Sequence, residues 1–282
     1  MGKKIEGKLI AEAFKNEIRE LVTCNKSKAY RVPKLAIIMV GSDGGSSFYV
    51  RNAKKLAENL GLSCEVFHFQ DDTSEESVID TIEDLNIKED VDGIMLQLPL
   101  PDDFNEKYVI SKIDCEKDID GLTYKNIGKF YSGEKCFIPC TPKGIMELIK
   151  STGVDIKGKN AVVVGRSNIV GKPIAQLLLD QNATVTICHS KTEDLKKICS
   201  KADILVAAVG KPDFIDENFI KSGAIVIDVG TTMVDGKLRG DVVFNEAIEK
   251  AEFVTPVPGG VGAVTTTMLL KNTCEAFEKN VR

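Results

Sequence analysis

The stretch Asn160-Ala161-Val162-Val163-Val164-Gly165-Arg166-Ser167-Asn168-Ile169-Val170-Gly171-Lys172-Pro173 decides how this chain folds. Ala161–Val164 is apolar at consecutive positions, as expected of a strand covered on both faces in a parallel sheet. Gly165 lets the chain turn sharply at the strand end, and Gly171 lets backbone come close near the start of a helix. That helix start presents free N–H groups and a positive dipole end, which suits a pyrophosphate. The spacing is Gly-x5-Gly rather than the usual Gly-x-Gly-x-x-Gly, so the loop taken alone also fits an ordinary βα turn.

Working outward, strands are expected at Thr184–Cys188, Ile204–Ala208 and Ala224–Asp228, with helices around 173–180, 192–201 and 215–221. This alternation is that of a doubly wound parallel sheet with a ligand crevice of its own. Upstream, the spacing predicts a helix over 9–23, a strand at Leu35–Val40, a helix near 47–60 and a strand near 63–69. A helix opened by Ser74-Glu75-Glu76-Ser77 and a strand at Gly93–Leu96 follow. Cys140-Thr141-Pro142 reads as a helix start, with Thr141 as N-cap and Pro142 at the first helical position. The fold class is therefore α/β in two domains. Residues 143–261 form a Rossmann-like doubly wound parallel sheet, and residues 1–142 a smaller α/β domain. The pattern of the C-terminal helix, 262–282, leaves open which domain it packs against.

Composition narrows the class of function. The 282 residues are 43% hydrophobic and 28% charged, the balance of a globular chain with a real core. Lys and Arg number 37 against 42 Asp and Glu, a net charge of −5. That argues against gripping nucleic acid through general basicity. No stretch approaches the ~20 apolar residues of a membrane span, and the opening Met1-Gly2-Lys3-Lys4-Ile5-Glu6 lacks a signal-peptide core, so a cytoplasmic location is expected. The eight cysteines form no Cys-x-x-Cys pair and are joined by only two histidines, His68 and His189, so no metal site is expected.

The nucleotide loop is accompanied by a choice of cofactor. An NAD site places an acidic residue at the end of the second strand, on the ribose 2′-hydroxyl. Here that strand ends Ile187-Cys188-His189-Ser190-Lys191-Thr192, with no carboxylate before Glu193. Arg166, Ser190 and Lys191 instead suit a 2′-phosphate, through fixed charge and a hydroxyl donor. NADP is favoured over NAD.

Further segments carry residues that loops rarely need together: Ser46-Ser47-Phe48-Tyr49, Gln97-Leu98-Pro99-Leu100-Pro101, Lys117-Asp118-Ile119-Asp120-Gly121, Pro139-Cys140-Thr141-Pro142 and Thr255-Pro256-Val257-Pro258-Gly259-Gly260-Val261-Gly262. With Val164-Gly165-Arg166-Ser167 and His189-Ser190-Lys191-Thr192, they make a chain that resembles, over nearly its whole length, the bifunctional methylenetetrahydrofolate dehydrogenase/methenyltetrahydrofolate cyclohydrolases of one-carbon metabolism. The resemblance implies that Tyr49 stacks on and hydrogen-bonds the folate, and that Gln97 and Asp120 hold the pterin, with Ser46 and Leu98 beside them. It implies that Pro258, Gly259 and Gly260 line the folate channel, and that Gly165, Arg166, Ser167, Ser190 and Thr231 hold NADP. The resemblance also makes residues 1–142 the folate-binding catalytic domain, rejoined by the C-terminal helix 262–282, and the implied partners are tetrahydrofolate one-carbon derivatives and a second copy in a homodimer.

One departure matters. The family reads Tyr-x-x-x-Lys, and that Lys is assigned the acid/base work of the cyclohydrolase; here the position is Ala53. At ~100° per residue, Lys54 points roughly 140° away from Tyr49 on a helix and does not replace it. The expectation is an NADP-dependent dehydrogenase with impaired hydrolysis. Smaller departures are Val243, Ala263-Val264 and Thr231-Thr232. Two alternatives remain open at this point: a folate- or nucleotide-binding regulatory protein without catalysis, and another two-domain NADP oxidoreductase of shikimate-dehydrogenase type.

Overall fold

A computed structural model describes residues 1–28 and 30–280, so the last two residues of the expected helix 262–282 lie outside the described residues. In chain order the elements are β1 (Lys3–Lys4), α1 (Gly7–Ser27), β2 (Lys34–Val40), α2 (Gly44–Asn59), β3 (Ser63–Phe69), α3 (Glu75–Ile87) and β4 (Gly93–Leu96). Next come α4 (Glu106–Ser111), α5 (Tyr124–Tyr131), α6 (Cys140–Lys150), β5 (Asn160–Val164), α7 (Gly171–Asp180), β6 (Thr184–Cys188), α8 (Leu195–Cys199) and β7 (Ile204–Ala207). The last third holds β8 (Ile225–Asp228), β9 (Thr232–Val234), β10 (Lys237–Arg239), α9 (Phe244–Lys250), β11 (Phe253–Val254) and α10 (Val261–Asn280). The chain divides into two compact units, one of Met1–Glu12 with Thr141–Thr265, the other of Ala13–Cys140 with the chain from Thr266 on.

The second of these is built on a three-stranded parallel sheet in the order β3-β2-β4. Leu35–Val40 of the central strand is buried throughout, which is why the sequence there is apolar without alternation. One face packs on α3, whose Val78, Ile79, Ile82 and Leu85 form a buried helical stripe against Ala36, Ile38 and Ile94. Each such aliphatic side chain contributes about 1.5–3 kcal/mol by leaving water. Ser74 opens α3 by accepting a hydrogen bond from the Ser77 amide at 3.2 Å. Likewise Asp43 caps α2 by accepting from the Ser46 amide at 2.9 Å, and Gly61 (φ +83°) lies past its end. These two stops fix the register of everything α2 carries.

The other unit holds a six-stranded parallel sheet in the order β1-β11-β8-β7-β5-β6. Its core includes Val162, Val164, Leu205, Val226, Ile215 and Ala247, all buried. Three expectations are corrected here. The helix expected at 192–201 shortens to Leu195–Cys199, because Asp194 adopts φ +50° and breaks the approach. That expected at 215–221 is one 3-10 turn, Glu217–Phe219, since the Asp216 carboxylate takes the Asn218 amide (2.8 Å) and Ile220 is already extended. Helix α6 begins at Cys140, so Thr141 lies inside its first turn rather than capping it. Met1–Glu12 sits in this unit: β1 pairs with β11 as Lys3↔Phe253 and Lys4↔Val254. A two-residue lysine strand has no hydropathy signal, and an expected first domain of 1–142 does not anticipate that pairing.

Candidate active site

Helix α2 places Ser46 in its first turn and Tyr49 one turn on, and Ala53 one turn further is fully buried. Lys54 and Lys55 are exposed, and the Lys54 ammonium lies 4.0 Å from Glu58, a surface pair one turn along. Neither ammonium shares the buried face of Ala53. The helix therefore presents a phenol and a methyl group where Tyr-x-x-x-Lys would present a phenol and an amine.

Gln97 follows the end of β4, at the carboxyl edge of the three-stranded sheet, and its amide N–H donates to Ile38. Its side-chain Nε2 donates to the Leu98 carbonyl at 2.6 Å and lies 3.4 Å from Ser46 Oγ. The carbonyl contact fixes which end of the amide is nitrogen, because only an N–H donates. The other end, Oε1, is buried without a hydrogen-bond partner among the described residues. A buried acceptor left unmade costs about 1–3 kcal/mol, so this atom suits a ligand N–H.

The loop carrying Asp120 runs beside β4, with the Ile94 amide donating to Lys117. Asp118, buried, organises it by accepting from the amides of Leu122 (3.0 Å) and Thr123 (2.8 Å) and from Asn126 Nδ2 (2.9 Å). Gly121 sits at φ +66°, where a Cβ would also collide with the Phe137 carbonyl. Asp120 Oδ1 accepts from the Cys140 amide at 3.3 Å. Burial pushes the Asp120 carboxyl above its ordinary range, against the hydrogen bonds from Cys140 that favour the charged form. From α10, Asn272 Nδ2 donates to the carbonyls of Ile119 (2.7 Å) and Ile138 (3.1 Å), which clamps both sides of this loop. Burial, then the nearby Asp120 and Cys140, hold the Tyr49 phenol well above its usual range, with a Thr266 hydrogen bond opposing them. Tyr49 is thus a neutral phenol at physiological pH.

In the nucleotide unit the expected turn is present. Gly165 follows β5 at φ +138°, its amide donates to the Cys188 carbonyl (2.9 Å), and a Cβ there would strike the Ala208 carbonyl. A Cβ at Gly171 would strike the Gly165 carbonyl, so both glycines are needed for close packing. Ser167 Oγ accepts from the amides of Val170 (3.2 Å) and Gly171 (3.3 Å), which shapes the entry to α7. Arg166 and Ser190 are exposed at the paired ends of β5 and β6, where Val164 faces Cys188. The turn after β6 is closed by the His189 amide donating to Thr192 Oγ1 (2.8 Å), and no carboxylate lies in it. This donor set fits a 2′-phosphate. Thr231 is exposed after β8. Pro258, Gly259 (φ +110°) and Gly260 lie in this unit, and Gly260 packs against Gly7 so tightly that a Cβ on Gly7 would overlap its carbonyl.

The structure thus gathers Ser46, Tyr49, Gln97, Leu98 and Asp120 in one unit, and the glycine turn, Arg166, Ser190, Thr231 and Pro258–Gly260 in the other. Sequence reasoning missed Thr266, Asn272 and the contact of Cys140 with Asp120. Cys140 stood in a quoted motif but was read only as a helix start, and nothing in the α10 pattern sets Thr266 and Asn272 apart from its other polar residues. Among the described residues, no group of three His, Cys, Asp or Glu is placed to hold a metal, and no helix is long and apolar enough to cross a membrane.

Comparison with known proteins agrees with this geometry. Residues 5–120 match the catalytic-domain model of tetrahydrofolate dehydrogenase/cyclohydrolase, and residues 139–281 match its NAD(P)-binding-domain model. The chain is 59% identical over 278 residues to the bifunctional protein FolD of Clostridium acetobutylicum, covering 99% of this chain and 100% of that one. It superposes on the bifunctional FolD methylenetetrahydrofolate dehydrogenase/cyclohydrolase of Campylobacter jejuni with a TM-score of 0.96, at 38% identity and 99% coverage of each. The Trypanosoma brucei methylenetetrahydrofolate dehydrogenase-cyclohydrolase, solved with NADP cofactor and inhibitor, gives 0.96 at 39% identity, covering 100% of this chain and 99% of that one. With both domain models matched in order and near full-length identity of this size, the chain belongs to the tetrahydrofolate dehydrogenase/cyclohydrolase family.

Proposed function

We propose that this protein oxidises 5,10-methylenetetrahydrofolate to the 5,10-methenyl cation with NADP, and that its hydrolysis of that cation to 10-formyltetrahydrofolate is strongly reduced. Near full-length likeness to a bifunctional FolD supports the oxidation. The single observation that carries the second half is Ala53: buried, on the face of Tyr49, with Lys54 and Lys55 turned to the surface.

In the oxidation a hydride leaves the methylene carbon while a neighbouring nitrogen lone pair closes a C=N bond, leaving a positive charge on the folate. Bound NADP supplies the hydride acceptor, so the protein's contribution is position and electrostatics. Gln97 Oε1 accepts from a pterin N–H and so satisfies its own buried acceptor. Tyr49 stacks on the folate and donates from its neutral phenol. Asp120 holds the pterin side, and Ser46 and Leu98 keep the Gln97 amide oriented. In the nucleotide unit, Gly165 and Ser167 shape the turn for the pyrophosphate, Arg166 and Ser190 meet the 2′-phosphate, and Thr231 approaches from the loop after β8. Pro258, Gly259 and Gly260 offer main chain to the folate.

Hydrolysis makes a different demand. Water adding to the methenyl carbon must lose a proton, and a positioned acid–base group typically contributes ~10²–10⁴-fold. A methyl group at position 53 supplies none, and the high-pKa phenol of Tyr49 is a poor base. We place the protein in the cytoplasm as a homodimer acting in one-carbon metabolism; sedimentation analysis tests the dimer. The test of the oxidation is NADPH appearance from methylenetetrahydrofolate, run beside NAD. Turnover with NADP in clear preference to NAD is expected, and no reduction of either cofactor would leave the binding-protein alternative.

A further inference from the structure

Two aspartates of the nucleotide unit are almost wholly buried, Asp228 (3% exposed) and Asp241 (0%). Both are satisfied by main-chain donors. Asp228, the last residue of β8, accepts through Oδ1 from the amides of Gly230 (2.9 Å) and Asp241 (2.8 Å), and through Oδ2 from Val242 (3.0 Å). Asp241 accepts through Oδ2 from Val209 (2.6 Å) and Gly210 (3.0 Å), and through Oδ1 from Lys211 (2.9 Å). The two are linked in series, because the amide of one donates to the carboxylate of the other. Space for them is made by glycines: a Cβ at Gly230 would overlap Asp241, and a Cβ at Gly240 would overlap the Asp228 carboxylate.

The donors belong to three separate segments: the loop after β7, the turn after β8, and the chain after β10. The first two lie at the carboxyl ends of adjacent parallel strands, where an α/β sheet takes its ligand. In the order β6-β5-β7-β8, at ~4.8 Å per strand, β7 and β8 stand about 10 and about 14 Å from β6. The donors for a 2′-phosphate are at β5 and β6, so a dinucleotide laid across the strand ends brings its other half to β7 and β8.

We propose that Asp228 and Asp241 are positioning residues for the nicotinamide half of NADP. Without touching the cofactor, their carboxylates hold Val209–Lys211 and Gly230–Thr231 in the shape that receives it. This rests on the NADP reading given above. Asp→Asn is the informative change, because an amide has one acceptor oxygen and turns its NH₂ toward a main-chain N–H.

The experiment titrates wild type, Asp228→Asn and Asp241→Asn with two probes: NADPH, followed by its fluorescence, and adenosine 2′,5′-bisphosphate, which carries only the adenosine half. The expected result is a loss of NADPH affinity of about tenfold or more in both variants, the scale of one lost charged hydrogen bond, with bisphosphate affinity unchanged. Equal NADPH affinity in all three proteins, or parallel loss of both probes, overturns the proposal. Should a variant fail to fold, amide exchange in wild type decides: Val209–Lys211 and Gly230 are expected to be protected before any cofactor is added. Protection gained only with NADPH overturns it. Wild type that binds neither probe overturns the cofactor reading itself, and the proposal with it.

Discussion

The two units build their sites from different parts of the polypeptide. In the nucleotide unit the shape is main chain: glycines at 165, 171, 230 and 240 allow contacts that a Cβ would block, and carboxylates gather backbone amides. In the other unit the site is a set of side chains, from α2, the end of β4 and the loop at Asp120, resting on a three-stranded sheet. The comparison teaches how each kind of site fails. A main-chain site is broken by adding atoms, which strains the fold. A side-chain site can lose one function when one group is removed, and position 53 is where the proposal puts such a removal: Ala53 is fully buried in an intact helix.

The largest expected effect breaks this contrast at position 53. Ala53→Lys should raise methenyltetrahydrofolate hydrolysis by ~10²–10⁴-fold while leaving NADPH formation nearly unchanged. Steady-state rates of both steps check it; an unaltered hydrolysis rate in a folded variant would mean that more than one group is missing. Next is the converse change in the nucleotide unit. Gly165→Ala adds one carbon against the Ala208 carbonyl at φ +138° and should cost about 2–4 kcal/mol, strain and overlap together. Gly133→Ala, at φ +72° with nothing within 4 Å, should cost only about 1–2 kcal/mol. Urea unfolding of the two variants measures the difference, and equal costs would refute the close-packing account.

A third effect concerns pH. Burial raises the Asp228 carboxyl to about 6, outweighing three main-chain hydrogen bonds that favour its charged form. Because the folded value lies above the unfolded one, its contribution is fully present below about pH 4 and is lost as pH rises through about 6. Wild type should therefore lose stability relative to Asp228→Asn across that window, by roughly 3 kcal/mol at most, at about 1.4 kcal/mol per pH unit. Parallel pH profiles for the two proteins would show that the carboxyl does not titrate there. The smallest effect is Arg166→Gln. Arg166 is exposed, so its removal should cut the preference for NADP over NAD by about tenfold, read as a ratio of kcat/KM values. An unchanged ratio would move the 2′-phosphate to Ser190 and Lys191.

Much of the fold was legible because the signals were local. Consecutive apolar residues at Leu35–Val40 and Ala161–Val164 mark strands buried on both faces, and both are buried in the structure. Ser74 caps its helix as its pattern indicates. What escaped had no local signal. The strand Lys3–Lys4 exists only because Phe253–Val254 lies beside it. The hairpin Thr232–Arg239, turned by Asp235 and Gly236 at positive φ, is too short for a periodicity. At the site, family motifs pointed to Tyr49, Gln97 and Asp120, and helix geometry turned Lys54 away from the face that Tyr49 shares with Ala53, which the structure shows to be buried. Asn272 and Thr266 escaped because they act across more than a hundred residues of chain, and a helix with several polar residues gives no local sign of which of them do so. The buried pair Asp228 and Asp241 escaped for a similar reason: each is one acid at a strand or loop end, and only the fold reveals the main-chain donors around it.

The most direct test of the whole account follows both activities in one preparation of the wild-type protein. NADPH appearance from methylenetetrahydrofolate is measured first, then decay of methenyltetrahydrofolate absorbance at the same enzyme concentration, corrected for the uncatalysed rate. The account predicts robust NADPH formation with methenyl product accumulating and decaying hardly faster than without enzyme. Hydrolysis as fast as the oxidation, with alanine at position 53, would contradict it.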